Sequence, residues 1–408
     1  MNWRTHARAL ALVFVLAASV RTLHYWNWPG VCIGGDRSEA ARIAESIARN
    51  GAFADPYPVA TGPTAHMAPV YPFLLSLVYR LPEGTRLPAR VALNILFGSL
   101  LCAAVMLAAA TLGLDRQVGM TASVLLAVLP PSLPVEICNN SDTSLVGLWG
   151  VLSVAATAAW LRGRMERHAV FGIFWGCTLL AAPVYAAVFA GYLWMGLRGR
   201  IPWRKTAVVL LLSCAVLAPW TIRNRLAVGG WFLVRDTVGL ELRVSNADNA
   251  YADPSVNIEK GAMRQYHPAL NSAIGERVRN QGEFQVFSAL GREAAGWMRA
   301  NPGRFLSLSA ERFRNFWIYS DISPLQPALR ITLLILAVLG LTRSPAFARW
   351  TLLCFIALYS FPFALVQPVW RYRYPIEWAV VLLAVQGVST AGSKLLAGRW
   401  QAGSSGRG

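Results

Sequence analysis

Residues 169–197 read AVFGIFWGCTLLAAPVYAAVFAGYLWMGL, a run without a charged side chain. Arg162, Arg164, Arg167 and His168 precede it, and Arg198, Arg200, Arg204 and Lys205 follow it. Short cytoplasmic loops of membrane proteins collect Arg and Lys, so both ends of the run read as cytoplasmic and the chain crosses twice within it. Pro183 marks the turn, because proline removes a backbone donor and clashes with the preceding helical turn. Each leg is then about 14 residues, short of the roughly 20 that cross the hydrocarbon. The legs are therefore expected to meet in a thinned or protein-lined region instead of facing lipid.

With this choice the rest of the chain threads consistently. Further apolar spans are expected at 9–26, 91–112, 118–135, 142–161, 206–222, 328–342, 350–366 and 374–393. Arg116, the two clusters around 169–197, Arg343–Arg349 and the basic tail from Lys394 to Arg407 all fall on the cytoplasmic side, with the N-terminus. The segments 27–90, 136–141, 223–326 and 367–373 fall outside. The fold class is all-α, a polytopic membrane protein of about ten transmembrane helices. It divides into an N-terminal transmembrane module, 1–222, carrying the outer loop 27–90; an outer helical segment, 223–326; and C-terminal transmembrane helices with a basic tail, 327–408. The outer segment shows a helical stretch at 282–300, a break at Asn301-Pro302-Gly303 and a second helix at 304–317, and is expected to pack on the membrane part.

Composition supports lipid as the main solvent. The 408 residues are 55% hydrophobic and only 14% charged, with a mean hydropathy of +0.42, unlike a soluble domain. The net charge of +18 would direct attention to nucleic acid in a soluble protein. Here the basic residues flank apolar runs, so topology accounts for them and no nucleic-acid partner is expected. Six cysteines form no CxxC pair. Cys102, Cys177, Cys214 and Cys354 lie in apolar runs as small hydrophobes, while Cys32 and Cys138 fall outside, where a disulfide between them is allowed.

The first outer segment contains GDRSEAARIAESIARNGAF, 35–53, with Ala40, Ile43, Ala44, Ile47 and Ala48 on one helical face and Glu39, Arg42, Glu45 and Arg49 on the other. That spacing predicts an amphipathic helix lying on the membrane surface. PVYPFLLSLVYRL, 69–81, is apolar but too short to span and reads as a second interfacial helix. Asp36, after Gly34-Gly35 and near the outer end of the first span, suits a general base for an acceptor hydroxyl or amine. It equally suits an N-cap for the helix beginning near Ser38.

These motifs carry a resemblance. Gly35-Asp36 with its amphipathic helix, then Gly51-Ala52-Phe53, Thr64-Ala65-His66-Met67-Ala68-Pro69-Val70-Tyr71-Pro72, Ser141-Asp142-Thr143-Ser144-Leu145, Pro219-Trp220-Thr221-Ile222-Arg223-Asn224 and Arg371-Tyr372-Arg373-Tyr374-Pro375-Ile376-Glu377 occur in this order over most of the chain. The pattern resembles the GT-C superfamily of membrane glycosyltransferases, similar to bacterial aminoarabinose transferases and, more remotely, protein O-mannosyltransferases. The resemblance implies that Asp36 and Asp142 are the catalytic acids and that a polyprenyl-phosphate sugar is the donor. The acceptor would be a lipid, glycan or protein, at the outer face of a bacterial inner membrane.

His66, Arg223, Arg371 and Arg373 are the expected phosphate ligands, since arginine binds phosphate bidentately and stabilises charge on a leaving phosphate; interfacial anchoring is the alternative for the arginines. The chain departs from the relatives where Arg37 follows Asp36, and where His66-Met67 replace the Lys and paired Pro frequent there. Glu136 rivals Asp142 as the second acid, and Asp142 also suits a cap for its helix. A divalent ion held by Asp36, Glu136 and Asp142 is the alternative to a metal-free site; without HExxH or paired histidines, no metal or other cofactor is expected. A flippase for lipid-linked sugars and an envelope glycan polymerase or ligase are the competing functions, though neither internal repeats nor mid-membrane charges favour a transporter.

Overall fold

The computed structural model describes residues 3–32, 38–129, 133–138, 141–199, 201–318 and 326–404. Among them every regular element is helical, apart from an isolated bridge between Ala54 and Pro63. The first part runs through α1 (Trp3–Asn27), α2 (Glu39–Asn50), α3 (Val70–Tyr79), α4 (Glu83–Leu112), α5 (Arg116–Val128), α6 (Leu133–Cys138), α7 (Thr143–Leu161), α8 (His168–Ala181), α9 (Ala186–Arg198) and α10 (Trp203–Ala227). The outer segment holds α11 (Val238–Ser245), the short α12 (Pro254–Lys260), α13 (Ala262–Tyr266) and α14 (Ser272–Gln281), and the longer α15 (Glu283–Ala300) and α16 (Pro302–Ile318). The chain closes with α17 (Gln326–Arg343), α18 (Ala346–Ser360), α19 (Pro362–Leu365) and α20 (Tyr374–Ser404). Among the described residues six helical segments are long and apolar enough to cross a membrane: Ala7–Asn27, α4, α7, α10, α17 and Ala346–Leu365.

The run 169–197 divides at Pro183, into helices of 14 and 13 residues joined by a turn of 3-10 helix. The first leg, α8, lies along α10, where Gly172 and Gly176 let the helices approach closely enough that a β-carbon would meet the α10 backbone. Other boundaries differ from the sequence reading. The expected span 118–135 ends as a helix at Val128, and α6 begins separately at Leu133; the sequence between them holds Pro130-Pro131, which cannot donate to a helical ladder. Helix α4 starts at Glu83, well before the apolar run, because Pro82 and an acidic first turn favour a helix start there. Helix α10 continues through Pro219 to Ala227, so Arg223 sits within its last turns instead of beyond its end.

Helix α2 has the predicted polarity and clean ends: Ser38 Oγ accepts from the Ala41 N–H, and Gly51 closes it at φ 68°, the left-handed conformation glycine tolerates. The cap is thus Ser38, and Asp36, the cap considered from sequence, lies outside the described residues. The apolar face of α2 is covered by protein, since Ala40, Ala41 and Ala44 pack on Tyr71, Leu75 and Val78 of α3. The stretch after α10 packs on the loop between α2 and α3. Tyr57 joins Leu240, Val244, Val286, Phe287 and Leu290 in one apolar cluster, and Asn257 Nδ2 donates to Gln367 Oε1 at 2.8 Å while the Gln367 N–H donates to Ser245 Oγ at 2.7 Å. These bonds tie the outer segment to the link before α20. Cys32 and Cys138 form a disulfide that joins the chain just after α1 to the end of α6.

Candidate active site

A polar cavity of about 230 Å³ opens where the first turn of α2, the loop before α3, the start of α7, the loop before α11 and the link before α20 converge. Its ionisable lining comprises Glu39, His66, Asp142, Arg235, Glu241, His267 and Arg371. A second space of about 170 Å³ shares Asp142, Arg235, Glu241, Arg371 and Tyr372 with it. A third, about 550 Å³, shares Arg235 and Glu241 and is mostly apolar, walled by Leu179 of α8, Val184 after it, Leu217 of α10, Val238 of α11 and Leu365 of α19. Arg235 and Glu241 line all three, so the polar chamber and the apolar groove lie side by side.

Asp142 is the residue before α7, yet its side chain makes no capping bond. The neighbouring hydroxyls of Ser141 and Thr143 bond each other at 2.6 Å. The carboxyl is left facing the cavity. Burial raises its pKa above the ordinary value, while Arg235 and Arg371 act in the opposite direction. Burial likewise works against the charge of Arg371, but Tyr372, Glu39 and Asp142 outweigh it, so its pKa stands above the ordinary arginine value.

Glu136, the rival acid, is committed elsewhere. Its carboxylate takes two bonds from Arg21 of α1, Nε to Oε1 at 2.6 Å and Nη2 to Oε2 at 3.0 Å, in a fully buried pair. Gly98 of α4 makes the room, because a β-carbon there would fall on Glu136 Oε1.

His66 reaches the cavity from a tightly held loop. Glu283 of α15 accepts from Thr64 Oγ1 and from the Ala65 N–H, both at 2.6 Å, and Arg235 Nε donates to the His66 carbonyl at 2.7 Å. Arg223 holds the same loop. Its guanidinium donates to the Thr64 carbonyl at 2.6 Å and the Phe53 carbonyl at 2.8 Å, and lies over the Trp220 ring. Beside them Asp236 and Glu283 form a buried carboxyl pair, in which burial pushes Asp236 up to about 6 and burial together with Asp236 raises Glu283.

Of the expected site residues, the structure brings His66, Asp142 and Arg371 to one cavity. Arg223 does not line it, and neither does Arg373, which is buried and bonded to Glu377 at 3.2 Å and to the Phe316 carbonyl at 2.6 Å. Burial draws the Arg373 guanidinium down to about 10 against the opposing carboxylate of Glu377. Asp36 lies outside the described residues. Sequence reasoning missed Arg235, Glu241 and His267, and placed Glu39 on the polar face of α2 without a role. Arg235-Asp236 within the apolar stretch Trp231–Val238 was the available signal, since charges in an apolar run need partners. Glu241 and His267 carry no local signature.

A carboxylate oxygen of Glu39 and one ring nitrogen each of His66 and His267 lie within 4.8 Å of one another. Among the described residues this group has the spacing of metal ligands.

The fold is a helical one whose described residues include six helices long and apolar enough to cross a membrane, and it is similar to a solved membrane enzyme. Over 97% of its length the chain superposes on the crystal structure of the oligosaccharyltransferase of Archaeoglobus fulgidus, solved tethered by a disulfide to an acceptor peptide containing the NVT sequon, with a TM-score of 0.54 at 15% sequence identity. The chain corresponds to 50% of that enzyme's length. No protein-family model matches the chain, and no curated protein matches it in sequence.

Proposed function

We propose that the chain is a glycosyltransferase that moves a sugar from a polyprenyl-phosphate donor to an acceptor at the extracytoplasmic face of the membrane. The observation that carries this reading is that Arg235 and Glu241 line both the polar chamber and the 550 Å³ apolar groove. A polar chamber beside an apolar groove suits a substrate with an apolar tail and a phosphate head. Arg235 and Arg371 would hold the phosphate, whose oxygens take bidentate bonds from guanidinium groups. The catalytic carboxylates proposed are Asp142, on the chamber wall, and Asp36, by the resemblance of its motif. Transfer is a single displacement. The acceptor loses a proton to a carboxylate, its heteroatom bonds to C1 of the sugar, and the C1–O bond breaks with its electron pair leaving on polyprenyl phosphate. Arginines that meet this developing charge stabilise the transition state. The Cys32–Cys138 disulfide supports an extracytoplasmic placement, since such bonds persist in oxidising compartments.

The test compares lipid-linked sugars in cells lacking the protein with cells re-expressing wild type or Asp142→Asn at equal membrane abundance. Outer-leaflet accumulation of a polyprenyl-phosphate sugar, cleared only by wild type, is the expected result. Accumulation confined to the inner leaflet would instead identify a flippase.

A further inference from the structure

Glu241 lies on the wall that all three spaces share, and the packing of its helix puts it there. Leu240 and Val244 of α11, one helical turn apart, are buried in one cluster with Phe287 and Leu290 of α15. Gly239 lets the two helices meet, since a β-carbon there would fall on the Phe287 carbonyl. With that face turned to α15, Val238, Glu241 and Leu242 line the apolar groove together, as their spacing of three and four residues allows. Val238 and Leu242 suit apolar surroundings, and a carboxylate does not. The nearest arginine on the same helix, Arg243, is turned to Glu293 of α15 at 3.3 Å. Among the described residues Glu241 itself makes no hydrogen bond or ion pair.

The middle space shows what a ligand beside Glu241 would meet. Its wall carries Asp142, Arg235, Glu241 and Arg371 together with the rings of Tyr359, Phe363 and Tyr372. The Tyr359 hydroxyl is already committed to the Tyr372 carbonyl at 2.8 Å. Two guanidinium groups therefore face two carboxyl groups across a space edged by aromatic rings. With the guanidinium groups on the donor's phosphate, the carboxyl groups are left to the sugar. An ionised carboxylate has acceptor sites and no donor. It bonds hydroxyl and ammonium groups, and it repels another carboxylate.

We propose that Glu241 is a specificity-determining residue that reads the charge of the transferred sugar, an assignment that rests on the glycosyl-transfer reading and adds to it the class of sugar. Neutral or cationic sugars, whose hydroxyl or ammonium groups satisfy the unpaired carboxylate, are accepted. Sugars that carry a carboxylate are rejected, because two like charges would be brought together as the ligand displaces water from between them.

The experiment uses the full-length protein in proteoliposomes and two probes that differ only at C6 of the sugar, polyprenyl-phosphate glucose and polyprenyl-phosphate glucuronate. Polyprenyl phosphate and the corresponding polyprenol serve as references. Kd is measured for wild type, Glu241→Gln, Glu241→Ala and Glu241→Lys, with melting temperatures on the same preparations. Wild type is expected to bind the glucose probe about 10-fold or more tightly than the glucuronate probe, and added salt to shrink that gap. Glu241→Gln and Glu241→Ala should narrow the gap mainly by strengthening glucuronate binding, and Glu241→Lys should invert the preference. Equal affinity of wild type for the two probes overturns the proposal, and so does a wild-type gap retained in folded Glu241 variants. Either result leaves the glycosyl-transfer reading intact as long as polyprenyl phosphate binds more tightly than polyprenol. Equal binding of those two references overturns the function reading itself, and the sugar assignment with it.

Discussion

Arg235 Nε donates to the carbonyl oxygen of His66 at 2.7 Å, across 169 residues of sequence. This bond joins the loop before α11 to the loop before α3, and Arg235 lines both the polar chamber and the apolar groove. Arg235 thus has one donor engaged with the scaffold and a fork available to an anion.

Replacement of Arg235 is expected to impair transfer more than stability. Arg235→Ala should lower kcat/KM by about 100-fold or more, the cost of losing one preorganised charge on the leaving group. Arg235→Lys should recover only part, because an ammonium cannot hold phosphate bidentately. Steady-state rates with the purified donor check this; equal loss in both variants with a collapsed melting curve would make Arg235 a structural clamp.

The two acids of the second outer link should separate by phenotype. Asp142→Asn is expected to fold and lose activity. Glu136→Gln leaves the buried Arg21 guanidinium without its charge partner, and breaking such a pair costs roughly 3–5 kcal/mol. Melting in detergent should show the second variant destabilised and the first near wild type; the reverse pattern would undo this division of roles.

The Asp236–Glu283 pair makes a signed prediction for pH. Burial raises Asp236 from 3.8 to about 6, so ionising it costs more in the folded state than in the unfolded one. Its protonated form favours folding, and that advantage is lost as pH rises from about 4 through 6. Asp236→Asn, which keeps an N–H toward Glu283, should flatten the fall in melting temperature over this range and exceed wild type above it. Parallel wild-type and variant curves would contradict the coupling.

The apolar groove should discriminate by tail. Val238 lies on its wall and is 67% exposed, so Val238→Trp narrows the groove without disturbing a packed core. KM should rise for long-chain polyprenyl donors and stay near wild type for a short-chain analogue, as measured in detergent micelles. Equal effects on both would place the tail elsewhere.

Helical class, the split of 169–197 at Pro183, the amphipathic pattern of α2 and the break before α16 were legible in sequence, because they depend on local rules: apolar length and spacing, proline and glycine. Helix ends were less legible. The apolar run of α4 begins well inside the helix, since hydropathy reports the surroundings of a helix and not its hydrogen-bonded length. His66, Asp142 and Arg371 were legible as candidates because short motifs surround them, and they meet in one cavity. Arg223 and Arg373 look the same in sequence, an arginine near a helix end, and only the fold assigns them to carbonyls and to Glu377.

Sequence by itself determined the solvent this chain folds in and the order of its helices, since both follow from composition and spacing along the chain. Only the tertiary structure decided which charges meet. Glu39, His66 and His267 converge from α2, the loop before α3 and the loop after α13, and Glu136 is drawn into α1 by Arg21. A charge in an apolar surrounding must find a partner, and the partner is chosen by which helices pack side by side, a relation no local stretch of sequence contains.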